Sequence, residues 1–181
     1  MRLKKILTLG FCSLLTTGCA SMQIEDFEGT TPNFIPEEYF NGPLRAYGLV
    51  KNRDGKIIRT FKGELLGSWD NEGVGTLDEK FTYSDGEIQS RVWTLKPKGN
   101  KRFIGTAGDI VGEAKMVAKG NTVMIDYVMR VPYKGSIIDI SVKDWLHLQE
   151  DGVILNHSKM KKFGFEVGEL VITIIKDSPK Q

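Results

Sequence analysis

Apolar and polar side chains alternate along most of the chain. In 121–132, every second side chain from position 123 to 131 is apolar, while Asp126 and Arg130 fall on the opposite face. The same period of two recurs in 76–83 and 136–148. Because successive side chains of a β-strand point to opposite faces, this pattern predicts strands that each bury one face.

Short glycine-containing segments separate these strands at regular intervals. Such spacing indicates an all-β sandwich or barrel, and short links between consecutive strands favour a barrel because closure leaves no open edge. We therefore predict an all-β, antiparallel up-and-down, lipocalin- or calycin-like β-barrel of about eight to ten strands. Ahead of the first strand, 35–40 (IPEEYF) predicts a short helical turn or plug. The predicted turns lie at 52–56, 70–75, 84–86, 96–101, 118–121, 132–135 and 150–152.

The first residues have the layout of a secretion signal. Basic residues within 2–5 precede an apolar stretch at 6–15, which is shorter than the roughly 20 residues that span a bilayer. Gly18 and Cys19 then resemble the lipobox of bacterial lipoproteins, in which the cysteine thiol receives a diacylglycerol. Thr16 departs from the leucine that is usual in that motif. The sequence thus predicts cleavage before Cys19 and lipid attachment to it.

This signal predicts the domain organisation and the location. We expect a lipoprotein signal peptide at 1–18, a lipidated cysteine and flexible tether at 19–38, and a β-barrel domain at 39–177. Ala20 and Ser21 follow the cysteine in place of the aspartate that signals inner-membrane retention. The expected location is therefore the periplasmic face of a Gram-negative outer membrane, with the lipid anchor as the contact to the membrane.

Cleavage changes the charge and cysteine content. Loss of 1–18 leaves 22 basic and 23 acidic residues, so the formal charge falls from +2 to −1 and nucleic acid is not an expected partner. Cys12 leaves with the signal and Cys19 is acylated, which excludes an internal disulfide and a thiol catalyst. His147 and His157 are too few to predict a metal site.

The hairpin around SDG (84–86) predicts an inward ion pair. A three-residue loop with Gly86 in the left-handed conformation places Glu79 opposite Arg91, on an otherwise apolar face. A two-residue loop would instead place Lys80 opposite Arg91, and two like charges in that position are unfavourable. We therefore predict the first register.

Polar groups at inward positions are the candidate functional residues. A buried ion pair is costly unless further hydrogen bonds support it, so the pair either stabilises one barrel end or contacts the polar head of a ligand. Asp144 has the same two interpretations, although a bulge beside it would turn it outward. The glycines near Asp109 indicate either a barrel corner or room for a ligand. The ligand-binding candidates are Glu79, Arg91, Trp93, Asp109, Tyr127, Asp144, Asn156 and Lys162.

The chain shows a resemblance to the bacterial lipoproteins called domain of unknown function 3833, over about residues 39–176. It rests on the segments LDEKFTYSDGEIQSRVW, GTAGDIVGEA, KGNTVMIDY, VKDWLHL and LNHSKMKKFGFEVGEL in this order. The resemblance implies a lipocalin-like barrel in a lipid context and no defined activity. Lys143 departs from the family pattern, which often has an acid there. The matching residues are Glu79, Phe81, Asp85, Gly86, Arg91, Trp93, Asp109, Gly112, Gly120, Asn121, Tyr127, Asp144, Trp145, Asn156, Met160, Lys162 and Gly164.

Three functions follow as hypotheses. The first is an anchored barrel that binds a lipid or fatty-acyl ligand, with Glu79, Arg91 and Lys162 at its polar head. The alternative is a structural or assembly lipoprotein with a packed barrel and a protein partner. An enzyme acting on lipid through Asp109 or Asp144 is the third; no catalytic motif supports it, so a non-enzymatic protein without a cofactor is the expectation.

Overall fold

The computed structural model describes residues 21–177, in which ten antiparallel strands close into one barrel. Each strand pairs with the next along the chain, and the last strand pairs with the first. This confirms the predicted all-β, up-and-down, lipocalin-like fold. The strands are β1 (Gly42–Asn52), β2 (Ile57–Trp69), β3 (Gly75–Tyr83), β4 (Ile88–Pro97), β5 (Arg102–Thr106), β6 (Ala114–Lys119), β7 (Thr122–Tyr133), β8 (Ser136–Leu148), β9 (Ile154–Lys162) and β10 (Phe165–Lys176).

The alternation seen in the sequence sets which side chains enter the barrel. In β7 and β8, Ile125 lies opposite Asp144 and Tyr127 opposite Val142, in continuous register. The bulge that could have turned Asp144 outward is therefore not formed, and Asp144 lines the interior. In β3 and β4, Glu79 lies opposite Arg91, as the hairpin predicted.

A plug from the N-terminal segment covers one end of the barrel. It contains a single helical turn, α1 (Pro36–Tyr39), flanked by the buried rings of Phe34 and Phe40. The Tyr39 hydroxyl donates to the Gly152 carbonyl at 2.8 Å, and the Trp69 indole N–H donates to the Phe40 carbonyl at 3.1 Å. The predicted turn or plug at 35–40 is thus confirmed.

The segment ahead of the plug packs on the outer wall of the barrel. A short 3-10 helix (Ile24–Phe27) buries Ile24, and the Phe27 ring lies 6.0 Å from Trp145 and 5.2 Å from His147 between centroids. The chain from Ile24 to Phe40 is therefore part of the folded domain. The expectation of a flexible tether up to residue 38 does not hold for these residues, because apolar contacts fix them to the barrel.

The opposite end of the barrel is its mouth, formed by the hairpins that follow β1, β3, β5, β7 and β9. Within residues 21–177, no helix has the length and apolar character to cross a membrane. The predicted signal peptide and Cys19 lie outside the described residues.

Candidate functional site

The barrel encloses a cavity of about 1550 Å³ that extends from the plug at Phe40 to the mouth. Its walls are mainly aliphatic and aromatic. Because so large a volume stays open, the side chains do not fill the interior. A packed barrel, as expected for a purely structural protein, is not what the chain forms. Apolar lining residues include Phe61, Leu65, Leu77, Phe81, Trp93, Met116, Ile125, Met129, Ile140, Leu146, Met160, Leu170, Ile172 and Ile174.

The first polar group inside the cavity is centred on Arg91. Its Nε and Nη2 donate to the Asp109 carboxylate at 3.0 and 2.7 Å, so Asp109 holds one edge of the guanidinium. Its Nη1 lies 3.7 Å from Glu79 Oε2, which makes an ion pair without a hydrogen bond. Glu79 Oε2 is buried and has no hydrogen-bond partner among residues 21–177. It is an unsatisfied polar atom, packed beside Arg91, in a side chain that lines the cavity.

The second polar group is centred on Asp144 and comes from three neighbouring strands. The Tyr127 hydroxyl donates to Asp144 Oδ2 at 3.2 Å, and Asn156 Nδ2 donates to Oδ1 at 3.0 Å. The Ser158 hydroxyl also donates to Oδ1. Asn156 and Ser158 are buried, with exposed fractions of 4% and 0%. Asp144 is therefore a carboxyl group whose orientation is fixed by three donors.

Burial shifts the ionisation of both carboxyl groups in the same direction. Desolvation raises the pKa of Glu79 to about 7, against the opposing effect of the nearby Arg91 charge. Burial also raises the pKa of Asp144, although the donors Ser158, Asn156 and Tyr127 favour its charged form. The pKa of the Tyr127 phenol is raised well above its ordinary value, first by burial and then by the charge of Asp144.

Acidic side chains outnumber basic ones in the middle of the cavity. Around the Arg91 and Asp144 clusters, the ionisable side chains are Glu79, Asp109, Asp144 and Arg91. The other basic lining residues, at the strand ends toward the mouth, are Lys51, Arg53, Arg59, Arg130 and Lys162. Arg91 is already bound by Asp109, so it has little capacity to neutralise an additional anion. The interior therefore favours a ligand group that donates hydrogen bonds or is positively charged, and it opposes a free carboxylate.

All the predicted site residues line the same cavity, most of them in the inner cluster and one at the mouth. Trp93 and Tyr127 line the cavity with their rings 5.7 Å apart in an edge-to-face contact. Lys162 instead lies at the mouth, where its Nζ donates to the Asp139 carbonyl at 2.7 Å. It is therefore not part of the inner cluster, because β9 ends at this residue.

Two inner contacts lie outside the predicted set. Ser158 donates to Asp144, and the Met129 sulfur lies 3.2 Å from Arg91 Nη2. The alternation in β9 places Ser158 on the same inward face as Asn156 and would have included it. Met129 resembles any other core residue in sequence, and only the barrel closure brings it to Arg91. The described residues contain no group of three or more histidine, cysteine, aspartate and glutamate side chains arranged to hold a metal ion.

Sequence comparison now identifies the family. The family model described as a protein of unknown function, DUF3833, matches residues 13–176. The chain belongs to the DUF3833 family. No curated protein matches its sequence significantly.

Among solved structures, this DUF3833 protein is similar to the S-type phycobiliprotein lyase CPES from Guillardia theta. The two chains share 12% sequence identity, with 88% of this chain and 95% of that chain covered, and the TM-score is 0.58. At this identity the similarity shows the shared lipocalin-like fold alone.

Proposed function

We propose that this DUF3833 protein binds one elongated apolar molecule inside its barrel and holds a hydrogen-bond-donating group of that molecule at Glu79. The observation that carries the proposal is the buried, unpaired Glu79 Oε2 in the wall of a large apolar cavity. Ligand pockets combine such apolar walls with a few placed polar groups. The similarity in fold to CPES, a lyase by its name, supports a ligand-binding barrel as well.

The polar cluster selects the head group, and the apolar wall holds the chain. A hydroxyl, amide or ammonium group could donate to the Glu79 carboxylate once the side chain turns Oε2 toward the cavity, which would relieve the cost of an unsatisfied buried oxygen. A carboxylate would face Glu79, Asp109 and Asp144 with only Arg91 to offset them. This narrows the expectation of a lipid or fatty-acyl ligand with its polar head at Glu79, Arg91 and Lys162 to a head group that donates hydrogen bonds at Glu79.

The first test is mass spectrometry of molecules that purify with the protein. The chain from Ala20 to Gln181, exported with a cleavable signal and purified without detergent, retains every residue of the barrel and its plug. A stoichiometric apolar molecule that bears a donor group is the expected result. An empty, folded protein that also binds no alkyl compound would overturn the proposal.

The second test compares alkyl compounds of one chain length. At pH 8, where Glu79 is ionised, dodecanol and dodecylamine should bind about tenfold or more tightly than dodecanoate, read from tryptophan fluorescence. Glu79→Gln should reduce this preference, whereas Glu64→Gln, on the outer face of β2, should keep it. Tighter binding of dodecanoate at pH 8 would contradict the proposed head group.

A second candidate function is proton transfer to the bound molecule. Two carboxyl groups with raised pKa values, Glu79 and Asp144, line one cavity, and such pairs are suited to acid–base chemistry. The same mass spectrometry tests it. Proton removal and return leave the mass unchanged in H2O, so the protein is incubated with its bound molecule in D2O. Carbon-bound deuterium in that molecule with wild type but not with Asp144→Asn would support catalysis, and equal deuterium content with both would support binding alone.

We also propose that lipid on Cys19 anchors the barrel to the periplasmic face of a Gram-negative outer membrane. The support is the sequence: a basic start, a short apolar stretch, Gly18-Cys19, and no aspartate after the cysteine. An anchored barrel with an apolar cavity would take its ligand from, or deliver it to, a membrane.

A further inference from the structure

The mouth of the barrel exposes large apolar side chains at its hairpin tips. Phe163 and Phe165 are 87% and 77% exposed, and Ile137 is 72% exposed. Ile57, Ile58 and Tyr133 are exposed as well. An apolar patch of this kind, grouped at one end of a molecule, marks an interaction surface.

The charges of the mouth divide it into two halves. The tips at 53–58, 133–138 and 161–167 carry five basic and two acidic residues, a net charge of +3. These tips are neighbours, because β8 pairs with β9 and β10 pairs with β1. The remaining tips, at 84–88 and 107–113, carry three acidic residues besides the inward Asp109 and no basic one. The exposed phenylalanines therefore lie in the basic half.

The tip of the β9–β10 hairpin is built in an unusual way. Phe163 and Gly164 form its two-residue loop, with φ angles of 51° and 82°. Such a turn prefers asparagine, aspartate or glycine first, and a bulky residue in this left-handed conformation is uncommon. The fold thus accepts local strain at Phe163 while leaving its ring in water. Strain of this kind is typical of functional positions.

We propose that the basic half of the mouth docks on an anionic lipid surface. Phe163, Phe165 and Ile137 would enter the headgroup region, while the neighbouring lysines contact lipid phosphates. The Lys162 and Lys134 ammonium groups lie 4.8 and 5.3 Å from the ring centres of Phe163 and Tyr133, so cations flank the apolar tips. Lysine is depleted in protein–protein interfaces, which favours lipid over a protein partner.

Docking would place the opening of the cavity against the membrane. An apolar molecule could then pass between the bilayer and the barrel without crossing water. The docking surface itself consists of residues at the mouth and does not require that the cavity hold a ligand. Its test is therefore independent of the proposed function.

The test uses the chain from Ala20 to Gln181, which lacks the anchor, and sedimentation with vesicles. Vesicles of phosphatidylglycerol and phosphatidylcholine should bind it at low salt, and pure phosphatidylcholine should bind it more weakly. Phe163→Asn should weaken binding about tenfold or more, because one large apolar side chain no longer inserts. Its thermal unfolding should be unchanged or higher, since asparagine suits the turn.

Two further variants separate insertion from charge and from folding. Phe165→Thr, within β10, should also weaken binding to both kinds of vesicle, and Lys161→Glu should weaken binding to anionic vesicles alone. Leu66→Thr, an exposed apolar position on the wall of β2, should bind like wild type. Absence of vesicle binding by wild type, or equal binding by wild type, Phe163→Asn and Phe165→Thr, would overturn the proposal.

Discussion

At the scale of single residues, Glu79 links the stability of the barrel to pH. Its pKa is about 7 in the folded protein, against an ordinary value of 4.5, because burial disfavours the charged form. Between these values the unfolded chain releases a proton that the folded chain retains. The Glu79 contribution to the free energy of unfolding therefore falls as pH rises through this window.

Glu79→Gln removes this dependence. The free energy of unfolding of the variant minus that of wild type should increase by on the order of 3 kcal/mol from pH 4 to pH 8. Urea unfolding at both pH values measures the difference. Glu64→Gln makes the same chemical change on the exposed outer face of β2 and should shift little. A pH profile of Glu79→Gln parallel to that of wild type would show that Arg91 fully compensates the buried charge.

At the scale of secondary-structure elements, the contact between β2 and the plug fixes the closed end. A Cβ atom built on Gly67 would lie 1.8 Å from the Phe40 carbonyl oxygen, a backbone atom that cannot rotate away. Gly67→Ala should therefore displace the plug and lower the free energy of unfolding by about 2 kcal/mol or more. Gly108→Ala, where a Cβ meets no atom within 4 Å, is the matched control in the same thermal unfolding measurement. Equal stability of the two variants would contradict this account.

The elements also show what the sequence could predict. The β3–β4 register followed from a three-residue turn and two opposite charges, Glu79 and Arg91, that are close in the chain. Local rules suffice for such a hairpin. The packing of Phe27 against Trp145 depends on contacts between residues far apart in the chain. The sequence around Phe27 resembles a polar linker and gives no sign of this contact. Likewise, the alternation in β8 predicts that Asp144 points inward. Its hydrogen-bond donors from β7 and β9 could not be predicted, because only the folded barrel brings them to Asp144.

At the scale of the whole molecule, the lipid anchor makes a separate prediction. Cys19→Ser in the full chain should abolish incorporation of radiolabelled palmitate and move the protein from the membrane fraction to the soluble periplasmic fraction after a high-salt wash. Several acyl chains bind a bilayer far more tightly than one, which is why their loss should be decisive. Cys12→Ser lies within the predicted signal peptide and should change neither result. Palmitate labelling of Cys19→Ser would contradict the prediction.

The packed 3-10 helix limits how far an anchored barrel could travel. Ile24 is fixed to the outer wall, so only five residue steps separate it from Cys19. Fully extended, they reach at most about 18 Å. With the proposed lipid on Cys19, the barrel would stay within this distance of one membrane and would not reach across the periplasm. Transfer of its ligand to the other membrane would then require a second, mobile carrier protein that binds to this one.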